Sequence, residues 1–153
     1  MSKGILWVCI SILTLLSATS WSNENPPSVT CVVTDKASDD TPIDKKDSFD
    51  SNTPLIYLLC TSDEVHEGQQ IKAVWIAADT QGMAPANYVI HEKSFDVTKN
   101  MDNSKEWTIK YSLSKPYAGW PTGKYHVDLY VDNQRLQSIK FQVELSSNQT
   151  KTE

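Results

Sequence analysis

From Trp107 to Leu113 the chain alternates. Trp107, Ile109, Tyr111 and Leu113 fall on one side of an extended backbone, and Thr108, Lys110 and Ser112 on the other. A period of two residues predicts a β-strand with one packed and one wet face. The period returns at 124–131, with Tyr125, Val127, Leu129 and Val131 inward and His126, Asp128 and Tyr130 outward, Asp132 following on the outer side. It returns again at 136–145, with Ile139, Phe141, Val143 and Leu145 inward. Between these two strands "DNQR" reads as a hairpin turn, where Asn133 suits a left-handed backbone. Nearer the N-terminus, "SVTCVVT" (28–34) is short and β-branched, another strand. "TPLIYLLCTS" (53–62) is almost continuously apolar behind a proline, which predicts a strand buried on both faces and central in its sheet. "IKAVWIAAD" (71–79) alternates loosely around Trp75, and the charges of "NYVIHEKSFDVT" (87–98) place that strand near an edge.

Polar, turn-rich segments separate the strands. "DKASDDTPIDKKDSFDSN" (35–52) carries six Asp and three Lys and reads as a solvated loop. It lacks the 1-3-5 carboxylate spacing and central Gly of a calcium loop. No helical period longer than two turns follows the first 22 residues. Seven strands, at 29–34, 55–62, 71–79, 87–97, 106–114, 124–131 and 136–145, predict an all-β fold, an antiparallel two-sheet sandwich.

The N-terminus changes where this fold is expected to work. After Lys3 comes "ILWVCISILTLL", an apolar run of 12, and then "SATSWS" with small residues at Ala18, Ser20 and Ser22. A basic start, a short apolar core and a small-residue end predict a cleavable signal peptide over 1–22, and so a periplasmic or extracellular protein. An uncleaved anchor is the alternative, but the run falls short of the roughly 20 residues that cross a bilayer. Cys9 lies inside the run rather than at its end, which argues against lipidation. Cleavage would leave a first strand and acidic loop (23–52), a sandwich core (53–145) and a polar, disordered tail (146–153), with no membrane span in the mature chain. Loss of Lys3 leaves 13 basic against 19 acidic residues, a net charge of −6. Without a basic block, nucleic acid and anionic lipid are poor partners.

Two cysteines survive cleavage, Cys31 and Cys60. In an exported chain an even pair predicts a disulfide, two buried free thiols being the alternative. Closing a loop of about 30 residues would stabilise the fold by about 3.6 kcal/mol through chain entropy. Neither cysteine has a Cys or His at metal-ligand spacing.

Three features resemble the immunoglobulin-like sandwich. Trp75 stands on the third strand, after Cys60 on the second, where immunoglobulin domains bury a Trp. "TGKYHV" is similar to a tyrosine corner, which implies that the Tyr125 hydroxyl bonds back to the loop before it. Val127 takes the place of the second antibody cysteine, so an intersheet disulfide is excluded and Cys60 is left to Cys31 on the neighbouring first strand. "FDSNTPLIYL", "GQQIKAVW", "LSKPYAGWPTGKYHVDLYVD" and "FQV", spread over Phe49 to Val143, resemble small exported bacterial immunoglobulin-like (fibronectin-like) domains of unassigned function. That family implies a sandwich outside the cytoplasm and transfers no catalytic residue.

Candidate chemistry is sparse. No GxSxG, HExxH, P-loop or GxGxxG motif occurs, and the chain has three histidines, His66, His91 and His126. His126 and Asp128 share a strand face, within reach of one ion or simply solvated. Scattered Asp and Glu single out no catalytic pair. No cofactor is expected. "NQT" at Asn148 is a glycan acceptor pattern. Pro116 and Pro121 stiffen the connection before residue 124, Gly123 permits its tight turn, and Trp120 either lids the core or joins Tyr117 in an exposed binding loop. The chain is therefore expected to be a non-catalytic binding or accessory module. Its partner would be a protein, met at a sheet edge or at the Tyr117–Trp120 loop, the alternative being a carbohydrate or envelope glycan on the same aromatics.

Overall fold

The computed structural model describes residues 27–36, 45–98 and 107–146. The expected signal peptide, residues 37–44 of the acidic stretch and the tail beyond Ser146, Asn148 included, lie outside the described residues. Eight strands are found among those described: β1 (Thr30–Thr34), β2 (Ser48–Asp50), β3 (Leu55–Ser62), β4 (Gln70–Asp79), β5 (Tyr88–Asp96), β6 (Trp107–Ser114), β7 (Gly123–Val131) and β8 (Gln134–Glu144).

They form two sheets, a three-stranded one in the order β1-β3-β6 and a five-stranded one in the order β2-β8-β7-β4-β5. The apolar run at 53–62 is central in its sheet, and the charged strand β5 is at an edge, as their compositions predict. The β7–β8 turn pairs Val131 with Gln134 around two residues, Asp132 and Asn133, both at positive φ. Such two-residue turns twist in the sense of the strands they join.

The acidic stretch is not only a loop. Phe49 is buried in β2, and its ring meets Phe141 edge-on at 5.4 Å. β2 also breaks the expected antiparallel pattern, because it pairs parallel to β8, Phe49 opposite Val143. The cause is the path of the chain. Lys46 N–H donates to Val33 C=O on β1 at 2.9 Å, and Gln142 N–H on β8 donates to Asp47 C=O at 2.9 Å. Residues 46 and 47 thus step from the edge of β1 to the edge of β8, and β2 continues along β8 in the same direction.

The core lies between the sheets. Trp75, on β4, is 1% exposed, with Tyr111 of the opposite sheet at 6.2 Å and Phe141 at 6.1 Å between ring centroids. Tyr125 stacks on Phe141 at 5.3 Å. One inward expectation fails: Leu145 is exposed, because β8 ends at Glu144 and its alternation ends there, whereas Tyr111 and Leu113 are half-buried and pack against the core.

Cys31 and Cys60 stand directly opposite each other in the β1–β3 register and are joined by a disulfide, both sulfurs facing the core. Val33 turns its C=O away from β3 toward Lys46, so Cys31, two residues earlier, also belongs to a pair without direct ladder bonds. Side chains are closest at such pairs, and the Cα atoms here are 4.1 Å apart.

Candidate functional site

The register places four connections at one end of the sandwich. Asp50 lies beside Glu144, Leu55 beside Ser114, Asp79 beside Lys124 and Gly123 beside Val143. Segments 51–54, 80–87, 115–122 and 145–146 therefore meet there.

Segment 115–122 is the one singled out by its prolines and aromatics. Its backbone is tied at both ends: Lys115 N–H donates to Pro54 C=O and Trp120 N–H to Ser51 C=O, each at 2.9 Å. A turn closes inside it, Gly119 N–H donating to Pro116 C=O at 2.9 Å with Gly119 at φ +85°. Trp120 is 5% exposed, and its indole Nε1–H donates to Thr53 C=O at 2.8 Å. Tyr117, at the tip of the turn, has its ring entirely in solvent. The structure therefore separates the two aromatics: Trp120 closes the core, and Tyr117 alone is displayed.

Tyr125 donates its hydroxyl hydrogen to Pro121 C=O at 2.5 Å and so fixes the start of β7 against the same loop. Burial pushes this phenol up to about 12, and pushes Tyr111 up as well. The folded state then holds protons that the unfolded chain loses near pH 10. Stability is present in full below about pH 10 and is lost as pH rises toward 12. Urea midpoints measured from pH 8 to pH 12 should be flat and then fall, and Tyr125→Phe should shrink the fall. An unchanged midpoint up to pH 12 would contradict the burial of these hydroxyls.

Neighbouring segment 80–87 is equally fixed. Thr80 is buried, its Oγ1 accepts from Ala84 N–H at 2.9 Å, and its C=O accepts from Met83 N–H at 3.1 Å. Asn87 N–H donates to Ala78 C=O at 3.1 Å. Met83 is held out on this frame, and Tyr88 and Val89 open β5 beside it. Leu145 stands across the same end, and Ser146 N–H donates to Ser51 Oγ at 3.3 Å. Met83, Tyr88, Val89, Tyr117 and Leu145 are the large hydrophobic side chains exposed among the described residues. Met83, Tyr117 and Leu145 lie at this end, and Tyr88 and Val89 follow it along the edge strand β5, opposite Ala77 and Ile76. Sequence reasoning found Tyr117 and missed the other four, because only the sheet register brings them together.

His126 and Asp128 do share the outer face of β7, but the expected solvation of Asp128 is wrong. Asp128 is buried, since Arg135 from β8 reaches over it and donates Nη1–H to Oδ2 at 3.3 Å. His126 Nε2 stays 3.8 Å from Oδ1, beyond hydrogen-bond length. His91 stacks on Tyr111 and His66 lies in the β3–β4 turn, so the three histidines occupy separate elements. Among the described residues no three His, Cys, Asp or Glu side chains are grouped to hold a metal ion. No helix among them is long and apolar enough to cross a membrane.

Two clefts among the described residues bear on this end and the sheet edge beside it. A shallow one of about 380 Å³ lies at the loop end, between Gln81, Gly123 and Leu145. A larger one of about 1030 Å³ runs between the edge of β1 and the edge of β8.

No family model matches the chain, and no curated protein sequence does. Solved structures give distant likenesses. The alkylpurine DNA glycosylase AlkC of Pseudomonas fluorescens, bound to DNA with an abasic-site analogue, aligns at 14% identity and TM-score 0.43. The alignment covers 77% of this chain and 31% of that one. A Listeria innocua β-glucosidase variant in complex with laminaribiose aligns at 8% identity and TM-score 0.45, covering 77% of this chain and 16% of that one. The β-glucosidase of Kluyveromyces marxianus in complex with glucose gives 13% and 0.41, covering 77% and 14%. The chain spans under a third of the length of each.

Proposed function

We propose that this chain is an exported, non-catalytic binding module on an immunoglobulin-like (fibronectin-like) sandwich, and that it meets another protein through the end that displays Tyr117. It would work in the bacterial envelope or outside the cell. The observation that carries this is the exposure of Met83, Tyr117 and Leu145 at one end, beside loops whose backbones are tied down, with Tyr88 and Val89 exposed on the adjoining start of β5. Scattered exposed hydrophobics are ordinary, but a cluster on rigid loops loses little entropy on docking. Support for the fold type comes from buried Trp75 on the strand after Cys60 and from the Tyr125–Pro121 bond. Support for export comes from the disulfide, which suits an oxidising compartment. The glycan alternative is less favoured, because buried Trp120 leaves Tyr117 without the second ring of a stacking platform.

The chain from Asn23 onward, immobilised, should capture a partner from envelope or culture fractions. A Met83→Ser, Tyr117→Ser double variant, folded by circular dichroism, should hold that partner at least about tenfold more weakly, as loss of a central anchor does. Equal capture by both forms would remove the loop end as the site. Saturable binding of an envelope glycan, lost with Tyr117→Ser, would put the glycan alternative in its place.

A further inference from the structure

The larger cleft adjoins the one at the loop end, sharing Lys124 and Gln142 with it, and one of its walls is an incomplete sheet edge. β8 is flanked by β2 only at Gln142–Glu144. Below that point the chain's own backbone leaves: Asp47 C=O accepts from Gln142 N–H, but Lys46 already donates to Val33 on β1. Since Gln142 points its N–H away from β7, so do Lys140 and Ser138, each two residues earlier on the same strand. Their N–H and C=O groups meet no partner among the described residues. At the other end of this stretch the β7–β8 register shifts between Leu129 and Tyr130, leaving Leu136 as an extra residue. Bulges and short covering strands are the usual ways to blunt an edge. Here they bound an open gap rather than close it.

The two sides of the gap differ in chemistry. Its floor is Cys31, Tyr125, Ile139 and Phe141, all apolar and facing the core. Its outer rim carries Lys124 and Lys140, and His126 stands opposite Lys140 in the register. Lys45 is matched by Asp47 at 3.2 Å, whereas neither Lys124 nor Lys140 has a carboxylate partner among the described residues. The free edge of β5 is unlike this: it carries His91, Glu92, Lys93 and Asp96 and lines neither of the two clefts.

We propose that β8 from Ser138 to Lys140 accepts an extended segment of a partner protein as an added strand, with carboxylates outward beside Lys124 and Lys140 and apolar side chains inward over the cleft floor. Main-chain bonds to Ser138 and Lys140 hold the strand, and alternate side chains select it. The basic rim of an otherwise acidic chain favours an acidic segment.

The probe is a fluorescent peptide of alternating Val and Glu, run beside one of alternating Val and Lys, with binding to the chain from Asn23 onward read by anisotropy. The Val/Glu peptide should bind at least tenfold more tightly. Ser138→Pro deletes one bonding N–H at an edge position where proline is tolerated, and should weaken binding at least tenfold. Lys140→Glu should reverse the preference between peptides, and it keeps the test alive if the proline variant does not fold. The amides of Ser138 and Lys140 should exchange more slowly with peptide present. Met83→Ser, Tyr117→Ser should bind the peptide as wild type does, which separates this edge from the loop end. Equal binding of both peptides, indifference to both edge variants, or self-association of the chain abolished by Ser138→Pro would overturn the proposal.

Discussion

Trp120→Ala is expected to lower the unfolding free energy by about 3–5 kcal/mol, the range for truncating a large buried aromatic. The indole is 5% exposed, so its removal leaves a cavity at the end of the core. It also strands the C=O of Thr53, which now accepts from Nε1 at 2.8 Å. Trp120→Phe should fall between, at about 1–3 kcal/mol, since most of the volume stays and the hydrogen bond goes. Tyr117→Ala, three residues away, should change stability by less than about 0.5 kcal/mol because the ring touches only solvent. Urea denaturation of the three variants measures this. A Trp120→Ala protein within about 1 kcal/mol of wild type would mean that the indole is not the lid of the core.

Gly123→Ala should be at least as severe, costing about 4 kcal/mol or more, or giving no folded protein. Gly123 opens β7 at φ +148°, and a Cβ there would come 2.1 Å from Asp79 C=O oxygen and 2.8 Å from Thr80 Cα. Both are backbone atoms, held by the β4–β7 ladder and by the bonded turn at Thr80. Neither can turn aside as a long side chain would. Gly68→Ala is the control. It also sits at positive φ, but its Cβ would meet no atom within 4 Å, so only the backbone strain of about 1–2 kcal/mol applies. Similar losses at the two positions, measured by thermal melts, would show that conformation rather than close approach rules at Gly123.

Strands declare themselves by local alternation, and seven of the eight could be placed to within a residue or two because each carries several apolar residues in period. β2 could not. It is three residues long, has one apolar side chain and sits among aspartates, so its signal is a single Phe49. What creates it is β8, almost a hundred residues away. Asp128 was misplaced for a related reason. Alternation put it on the outer face correctly, but whether that face is wet there depends on where Arg135 lies across the hairpin. Tyr125 could be read because its turn is local, with Pro121 four residues back. The exposed loop end could not, since Met83, Tyr117 and Leu145 come to one end only through the register of both sheets.

The Cys31–Cys60 bond also decides how the molecule bears a mechanical load. Tension entering at Pro27 travels along β1 as far as Cys31, and there the disulfide offers a covalent shortcut to Cys60 on β3. β2 lies within the loop that the disulfide closes, off the covalent line of tension. The parallel β2–β8 pair, whose bonds would otherwise be sheared together by a pull on Pro27 and Ser146, is then bypassed by the covalent path. Reduction would put that pair into the line of tension and add the stored loop to the reachable length of the chain. Oxidised, the protein is a short tether whose resistance rests on the other strand pairs; reduced, it is a longer one with the β2–β8 clasp in series.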